Sequence, residues 1–385
     1  MKTLTKSLFY VLMFVLAVIF GSFVLVKTFG VAYEQQDDTK YQTSAESMIL
    51  MEANSGRIIA EKDADKQLPM ASLTKIITAI VAIKNTPDLD KEVEISKEAQ
   101  GVEGSSIYLK SGEHLTMREL LYGLMLRSGN DAAVAIAIAT SGSVEKFVEE
   151  CNSFCASIGA TNTHLVTPNG LHDDNHYTTA RDLAEITKYA LSNDIFSQIV
   201  KTPEIKIHNE LGRFDHRLLI NKNRFLKMVD GADGVKTGYT KKAGRCFVGS
   251  ATRAEDNLKL ICVLLNCRPM FEDCSRLIRE AQKEYRNVDF SERVSEEKIN
   301  IGEKVVSIKP LDSMIYPVTQ EEDNQIEIKT QLMRDNSLPI KIGEKLAEVQ
   351  IFLDKQMILC DNIYAAEDVS DTSYKGTLEK VIENF

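Results

Sequence analysis

The sequence predicts an α+β fold followed by a smaller all-β unit, and three observations carry that expectation. Residues 47–52 and 57–61 are largely apolar segments separated by Asn54-Ser-Gly56, the pattern of a β-hairpin. The middle of the chain holds apolar stretches at helical spacing. From about residue 231 the period turns strand-like, in three consecutive segments joined by short turns, which predicts antiparallel pairing. Helices flanked by strand segments on both sides make an α+β sandwich in outline.

At the start, Lys2 and Lys6 precede an uncharged, almost wholly apolar run from Leu8 to Val26. Positive charge ahead of an apolar stretch is the order found in an export signal. The run is longer than the ~7–15 residues of a usual signal core and near the ~20 that span a bilayer. Residues 1–32 are therefore expected to be a cleaved signal peptide or a retained membrane anchor. Gly30-Val-Ala32 offers small residues for cleavage, whereas the length of the run favours the anchor. With Lys2 and Lys6 inside, everything after the run is extracytoplasmic. Residues 33–43 are polar and aperiodic, a linker.

A first domain is expected over 44–289. After the hairpin, a helix over about 72–84 places Ile76, Ile77, Ile80 and Ile83 at helical spacing. Further helices are expected over about 116–127, 131–140 and 143–157. Another starts near Thr179, where Thr179-x-x-Asp182 has the form of a capping box. Strands follow around Gly234, Arg245 and Leu258, and a helix over about 270–285 closes the domain. Residues 290–367 form the smaller β-rich domain, with Gln325-Ile-Glu-Ile-Lys and Glu348-Val-Gln-Ile-Phe-Leu alternating apolar and polar residues. Ile-Gly-Glu-Lys occurs at 301–304 and 342–345, read as two similar turns because nothing else recurs. In the polar tail, 368–385, Leu378, Val381, Ile382 and Phe385 share a helical face too short to hold a membrane firmly.

With 44% hydrophobic and 26% charged residues among 385, the composition is that of a globular protein. A net charge of −10 without any basic run excludes nucleic acid as a partner and leaves small molecules or peptides. Seven cysteines are an odd number in a long chain and mostly sit in apolar runs, so they read as small buried hydrophobes, not a disulfide framework. No Cys-x-x-Cys pair occurs and the histidines do not cluster at ligand spacing, so neither a metal nor a cofactor is expected.

Three short patterns carry chemistry. Ser72-Leu-Thr-Lys75 opens the first helix, and this spacing puts hydroxyl and amine on one face. A serine needs a neighbouring base to become a nucleophile, and a lysine kept neutral by burial and adjacent cations can be that base. One such pair arises about twice by chance in a chain of this length, so alone it carries little. Ser128-Gly-Asn130 lies at the end of an apolar helix, at a turn. Lys236-Thr-Gly238 lies on the first of the three strands, where Gly238 lets a ligand backbone come close.

Together these elements resemble the serine penicillin-binding and β-lactamase superfamily, and more closely the low-molecular-mass D-alanyl-D-alanine carboxypeptidases of peptidase family S11. The surrounding words fit as well: Leu126-Arg-Ser-Gly-Asn-Asp-Ala, Thr161-Asn-Thr-His, Asn169-Gly-Leu, Tyr177-Thr-Thr-Ala-Arg-Asp and Gly234-Val-Lys-Thr-Gly-Tyr. The resemblance covers about 45–290 well and the C-terminal domain more loosely. It implies an antiparallel sheet with a helical cluster, a peptidoglycan stem peptide as substrate, and β-lactams as covalent inhibitors. Ser72 then matches the nucleophile that attacks the bond between two D-alanines and forms an acyl-enzyme, and Lys75 the base. Ser128 matches a relay toward the leaving amine, and Asn130 a ligand of the substrate amide. Lys236 supplies positive charge, Thr237 offers a hydroxyl to the terminal carboxylate, and the backbone N–H groups of Ser72 and Tyr239 form the oxyanion hole. Arg268, just after the third strand, is either a fork for the free carboxylate or a solvated arginine in the turn before Pro269.

Two departures stand out. Many relatives end in a long amphipathic membrane helix, whereas this tail is short and acidic, which shifts the expected attachment to the N-terminal run. Cysteines in the catalytic strands are unusual outside the cytoplasm. A class A β-lactamase requires a Glu-x-x-Leu-Asn motif between the second and third elements, and none occurs between Asn130 and Lys236. A transpeptidase or endopeptidase on the same scaffold, or a non-catalytic cell-wall binder, remain the other readings. Intact Ser72, Lys75 and Lys236 argue against the binder.

Overall fold

A computed structural model of the chain describes residues 40–370 except 209, 212–214, 302–303 and 336. The expected signal or anchor, most of the linker, part of the first Ile-Gly-Glu-Lys turn and the apolar end of the tail lie outside the described residues. Among the described residues, no helix is long and apolar enough to cross a membrane.

The hairpin forms as expected from β1 (Ser47–Glu52) and β2 (Ile58–Lys62). The Glu52 carboxylate closes its turn by accepting from Ser55 N and Asn54 N. A 3-10 turn, Ala71–Leu73, leads into α1 (Thr74–Asn85). A short ribbon of β3 (Glu92–Glu94) and β4 (His114–Thr116) precedes α2 (Met117–Leu126), whose start has a capping box of Thr116 and Glu119. Then come α3 (Asn130–Ser141), α4 (Val144–Ser157), α5 (Ala180–Leu191) and α6 (Asp194–Lys201). A second hairpin, β5 (Glu204–His208) and β6 (His216–Ile220), is too polar on its outer face to have stood out in the sequence. Finally β7 (Ala232–Thr240), β8 (Gly244–Thr252) and β9 (Lys259–Leu265) run antiparallel, and α7 (Met270–Glu284) follows.

The main sheet has the order β2-β1-β9-β8-β7, so the N-terminal hairpin joins the three later strands through β1 and β9, and β7 is an edge. Helix α7 packs against β8 and β9, whereas α5 packs against β1 and β9. At the heart of the helical cluster is α1, which touches α2, α3, α4, α5 and α6. Its residues Thr74 to Ile83 are all buried. The isoleucine stripe predicts one apolar face, but here every face is covered, because Thr74, Lys75 and Thr78 find polar partners inside. The capping box expected at Thr179 is only half present: Thr179 accepts from Asp182 N, while the Asp182 carboxylate turns to Asn162 N and the Thr163 hydroxyl.

The C-terminal part begins with β10 (Arg286–Asp289) and the short α8 (Ser291–Glu296). It continues through β11 (Lys298–Ile301), β12 (Lys304–Pro310), β13 (Ile315–Val318), α9 (Gln320–Asp323), β14 (Glu327–Leu332), β15 (Lys345–Leu353) and β16 (Gln356–Ala365). Five of these strands form a sheet in the order β11-β12-β16-β15-β14, over its own core of residues such as Phe290, Ile301, Val349 and Ile363. The two short helices interrupt a domain whose sequence reads as all-β.

Arg57 helps fasten this part to the first, alongside Asn287 of β10, which donates to Asp256. The Arg57 guanidinium, beside β2, lies 5.0 Å from the Tyr285 ring centroid and 5.4 Å from that of Tyr316. It also donates to Pro317 O and the Glu322 carboxylate. Cation–π contact on two rings together with an ion pair makes this a stiff joint. Of the seven cysteines all are free and six are buried, as read from their apolar runs; Cys360, on β16, is exposed instead. Burial pushes the Cys246 thiol up to about 12, which leaves it unreactive.

Candidate active site

The three sequence elements meet where the helical cluster faces the β7 edge. Ser72 sits in the 3-10 turn, preceded by Ala71 at φ 50°, a conformation that L residues other than glycine rarely adopt. Thr74 Oγ1 donates to Ala71 O at 2.8 Å and so fixes this turn from within α1. Gly170 passes against the same carbonyl: a Cβ there would lie 2.0 Å from Ala71 O, so only glycine allows the approach.

Lys75 is fully buried. Its Nζ is 3.1 Å from Ser72 Oγ and donates to Asn130 Oδ1 at 2.7 Å and to Asn169 O at 2.6 Å. Burial, and then the positive charges of Lys236 and Lys222, hold this amine well below its ordinary 10.5. A neutral amine has two N–H donors and one lone pair. The two carbonyl oxygens take both hydrogens, so the lone pair is left for the Ser72 hydroxyl. The amine and the hydroxyl are thus at hydrogen-bond distance, a meeting that the Ser-x-x-Lys spacing predicts.

Ser128 links α2 and α3 and is buried, at φ 62°, a strained conformation for a residue other than glycine. Asn130 follows at the start of α3, where its Nδ2 donates to Glu103 O at 2.5 Å. Beneath it the buried Asp131 carboxylate accepts from Ser106 Oγ at 2.5 Å, Ile107 N at 3.1 Å and Leu109 N at 3.0 Å. One carboxylate thus holds the 106–109 stretch, while Asn130 holds Glu103. Asp131→Ala is expected to leave three donors unpaired, at about 1–3 kcal/mol each, so the protein should melt roughly 10 °C lower. Thermal unfolding followed by circular dichroism checks this, and an unchanged melting temperature would refute the role.

On the opposite side, Lys236 is buried and donates to Thr237 O at 2.8 Å. Burial, with Lys222 adding repulsion, brings its amine down to about 7. Lys222 itself donates to Ser105 Oγ at 3.1 Å, and its amine is lowered by burial and Arg127. Gly238 lies directly against the Ser72 turn, for a Cβ there would come within 3.1 Å of Met70 O and 3.2 Å of Ser72 N. Because β7 is an edge, its outer backbone groups beside Ser72 are open to an added strand, as in edge-on peptide recognition. Tyr239 is exposed next to them.

Residues 32–268 match the family model Peptidase_S11, described as D-alanyl-D-alanine carboxypeptidase. The chain belongs to this family. Residues 288–371 of this S11 chain match a second model, the C-terminal domain of penicillin-binding protein 5. It is 30% identical over 380 residues to D-alanyl-D-alanine carboxypeptidase DacA of Haemophilus influenzae, covering 93% of this chain and 94% of that protein. To DacF of Bacillus subtilis it is 28% identical over 369 residues, with 92% and 94% covered. Among solved structures, penicillin-binding protein 5 from H. influenzae superposes with a TM-score of 0.69 at 26% identity, covering 86% of this chain and 98% of the other. The S11 chain is thus a peptidase by family, with the antiparallel sheet, helical cluster and small β-rich domain expected from its motifs.

Within this S11 chain, Ser72, Lys75 and Asn130 share direct hydrogen bonds, and Lys236 to Tyr239 line the strand beside them. Arg268 stands apart: it is exposed at the end of β9, two strands from β7, and makes no hydrogen bond or ion pair among the described residues. It does lie at the Tyr239 end of the sheet, since Cys267 N donates to Arg245 O and Arg245 pairs with Tyr239. Sequence reasoning missed Asn169, Asp131 and Lys222. For Asn169 a signal existed, the glycine directly after it. Lys222 belongs to no motif, and only the fold brings it to Ser105.

Proposed function

We propose that the chain removes the terminal D-alanine from peptidoglycan stem peptides through an acyl-enzyme on Ser72. The observation that carries this is the buried Lys75 amine, held by Asn130 Oδ1 and Asn169 O with its Nζ 3.1 Å from Ser72 Oγ, so that in its neutral form the lone pair is left for the hydroxyl. Lys75 takes the hydroxyl proton as Ser72 Oγ attacks the carbonyl of the penultimate D-alanine. The developing oxyanion is held by the N–H groups of Ser72 and Tyr239, beside the close pass of Gly238. Collapse breaks the peptide bond, and Ser128 passes a proton to the leaving amine. Asn130 orients the substrate amide while it holds Lys75. Lys236 and Thr237 receive the terminal carboxylate, and water then releases the shortened peptide with the proton traffic reversed. A β-lactam is attacked in the same way and stays attached.

A labelled-penicillin gel followed by a D-alanine release assay on a peptide ending in D-Ala-D-Ala tests this. A covalent band together with free D-alanine is expected. Absence of the band would leave a cell-wall binder, and a band with D-alanine released only when an acceptor amine is present would leave a transpeptidase.

The free carboxylate is met by Arg268 as well, reaching from its end of the sheet. Arg268→Ala should lower kcat/KM for peptides ending in free D-alanine by about 10–100-fold, the loss of a charge-assisted hydrogen bond. Turnover of the corresponding terminal amide should hardly change. Equal losses on both substrates return Arg268 to the solvated surface.

The enzyme works outside the cytoplasm, held to the outer face of the membrane by its N-terminal run. Edman sequencing of the native protein should therefore begin ahead of Leu8, with the run still attached. A start at Tyr33 means a cleaved signal instead.

A further inference from the structure

Behind the nucleophile turn lies a buried histidine that the mechanism does not use. His176 is 3% exposed, and both of its ring nitrogens are engaged. Val166 N donates to Nδ1 at 3.0 Å, so Nδ1 carries no hydrogen. The ring is then the tautomer with hydrogen on Nε2, which lies 2.7 Å from Thr74 Oγ1. Thr74 has already given its own hydrogen to Ala71 O, and it can only accept from His176. One arrangement of protons satisfies the whole chain, from Val166 N–H through the imidazole and the hydroxyl to the carbonyl beside Ser72.

The two ends of this chain are the two halves of the Ser72–Lys75 pair. One end is the strained Ala71 turn that presents the nucleophile. The other is the 166–170 loop, whose Asn169 O accepts from Lys75 and whose Pro168 O accepts from Thr78 Oγ1 at 2.6 Å. The histidine itself rides on a fixed backbone, because Thr178 exchanges both N–H···O bonds with Leu68 and Tyr177 does the same with His164.

We propose that His176 is a positioning residue, the imidazole that ties the nucleophile turn to the loop orienting the base and so sets the distance between Ser72 and Lys75. Burial, with His164 adding to it, brings its own pKa down to about 4, so the ring stays neutral under ordinary conditions. A protonated ring has no acceptor for Val166 N–H and would push the loop away.

This proposal rests on Ser72 and Lys75 being nucleophile and base, and the test separates the two. Acylation by fluorescent penicillin is measured on the full chain as a first-order rate at saturation and as a dissociation constant for the preceding complex. An unlabelled parent protein would overturn the assignment of Ser72, not the coupling. In a labelled parent, Thr74→Val and His176→Leu are each expected to slow the saturated rate by about 10–100-fold, the effect of a displacement near 1 Å, with the dissociation constant unchanged. Thr74→Ser restores the hydroxyl, and His176→Gln restores a donor and an acceptor, so both should recover most of the rate. Should His176→Leu fail to fold, the near-isosteric Thr74→Val and its serine counterpart still decide. Parental acylation by folded Thr74→Val overturns the proposal, as does equal slowing in Thr74→Ser.

Discussion

Ser72→Ala is expected to lose covalent labelling by penicillin altogether and to release D-alanine about 10⁶-fold more slowly, the order lost when the nucleophile of a serine hydrolase is removed. Intact-mass spectrometry after penicillin treatment should show one adduct on the parent chain and none on the variant. The expectation is this sharp because, among the described residues, only Ser72 has a hydroxyl at hydrogen-bond distance from Lys75 Nζ. Ser128 lies in the same cleft but forms no such bond among the described residues. An adduct that persists in Ser72→Ala would sink the assignment.

The second large effect belongs to the base. Lys75→Ala should still fold, yet acylate at least ~10²–10⁴-fold more slowly, the usual worth of general-base assistance. Near-parental acylation would make the lysine merely structural. Its signature in pH is two-sided. Activity should fall on acidification as Lys75 becomes protonated, and fall again above about 7 as Lys236 loses the charge that meets the substrate carboxylate. The contribution of the two amines to stability has one sign. Both amines are lowered from 10.5, so between the folded and unfolded values the unfolded chain binds more protons. Their contribution to stability therefore rises with pH, for Lys236 from about 7 upward, and shows cleanly up to about 9, above which the buried thiols, raised from 9.0, oppose it. Denaturant unfolding at several pH values should show the rise, and Lys75→Ala should make it shallower.

How far the sequence could be read depended on how local each feature is. The strands β7, β8 and β9 and the helices α2 to α4 repeat their apolar residues at a fixed period, so they were legible before any fold was known. Ser72 and Lys75 are three residues apart on one helix start, and their meeting was legible for the same reason. Asn130 comes to Lys75 from 55 positions away and Asn169 from 94, which no spacing encodes. The Asn169 contribution is harder still, because a main-chain carbonyl does the accepting and any residue there has one. Asp131 read as one more acid at a helix start, and its role emerged only when the 106–109 stretch folded over it. Lys222 and His176 were invisible for a related reason: each acts on a neighbour brought by the fold, not on its neighbours in the chain.

The joint at Arg57 has a consequence for how the enzyme faces its substrate. A flexible connection between the two parts would fix only how far apart they are, as a string does. A guanidinium held by two rings, a carbonyl and a carboxylate also resists twisting, as a rod does. Its far end is the β1–β2 hairpin, which continues through β9 and β8 to the β7 edge. Whatever surface grips the C-terminal part thereby sets the compass bearing of the cleft, and the angle at which a peptide strand can be laid along β7 is decided some distance from Ser72.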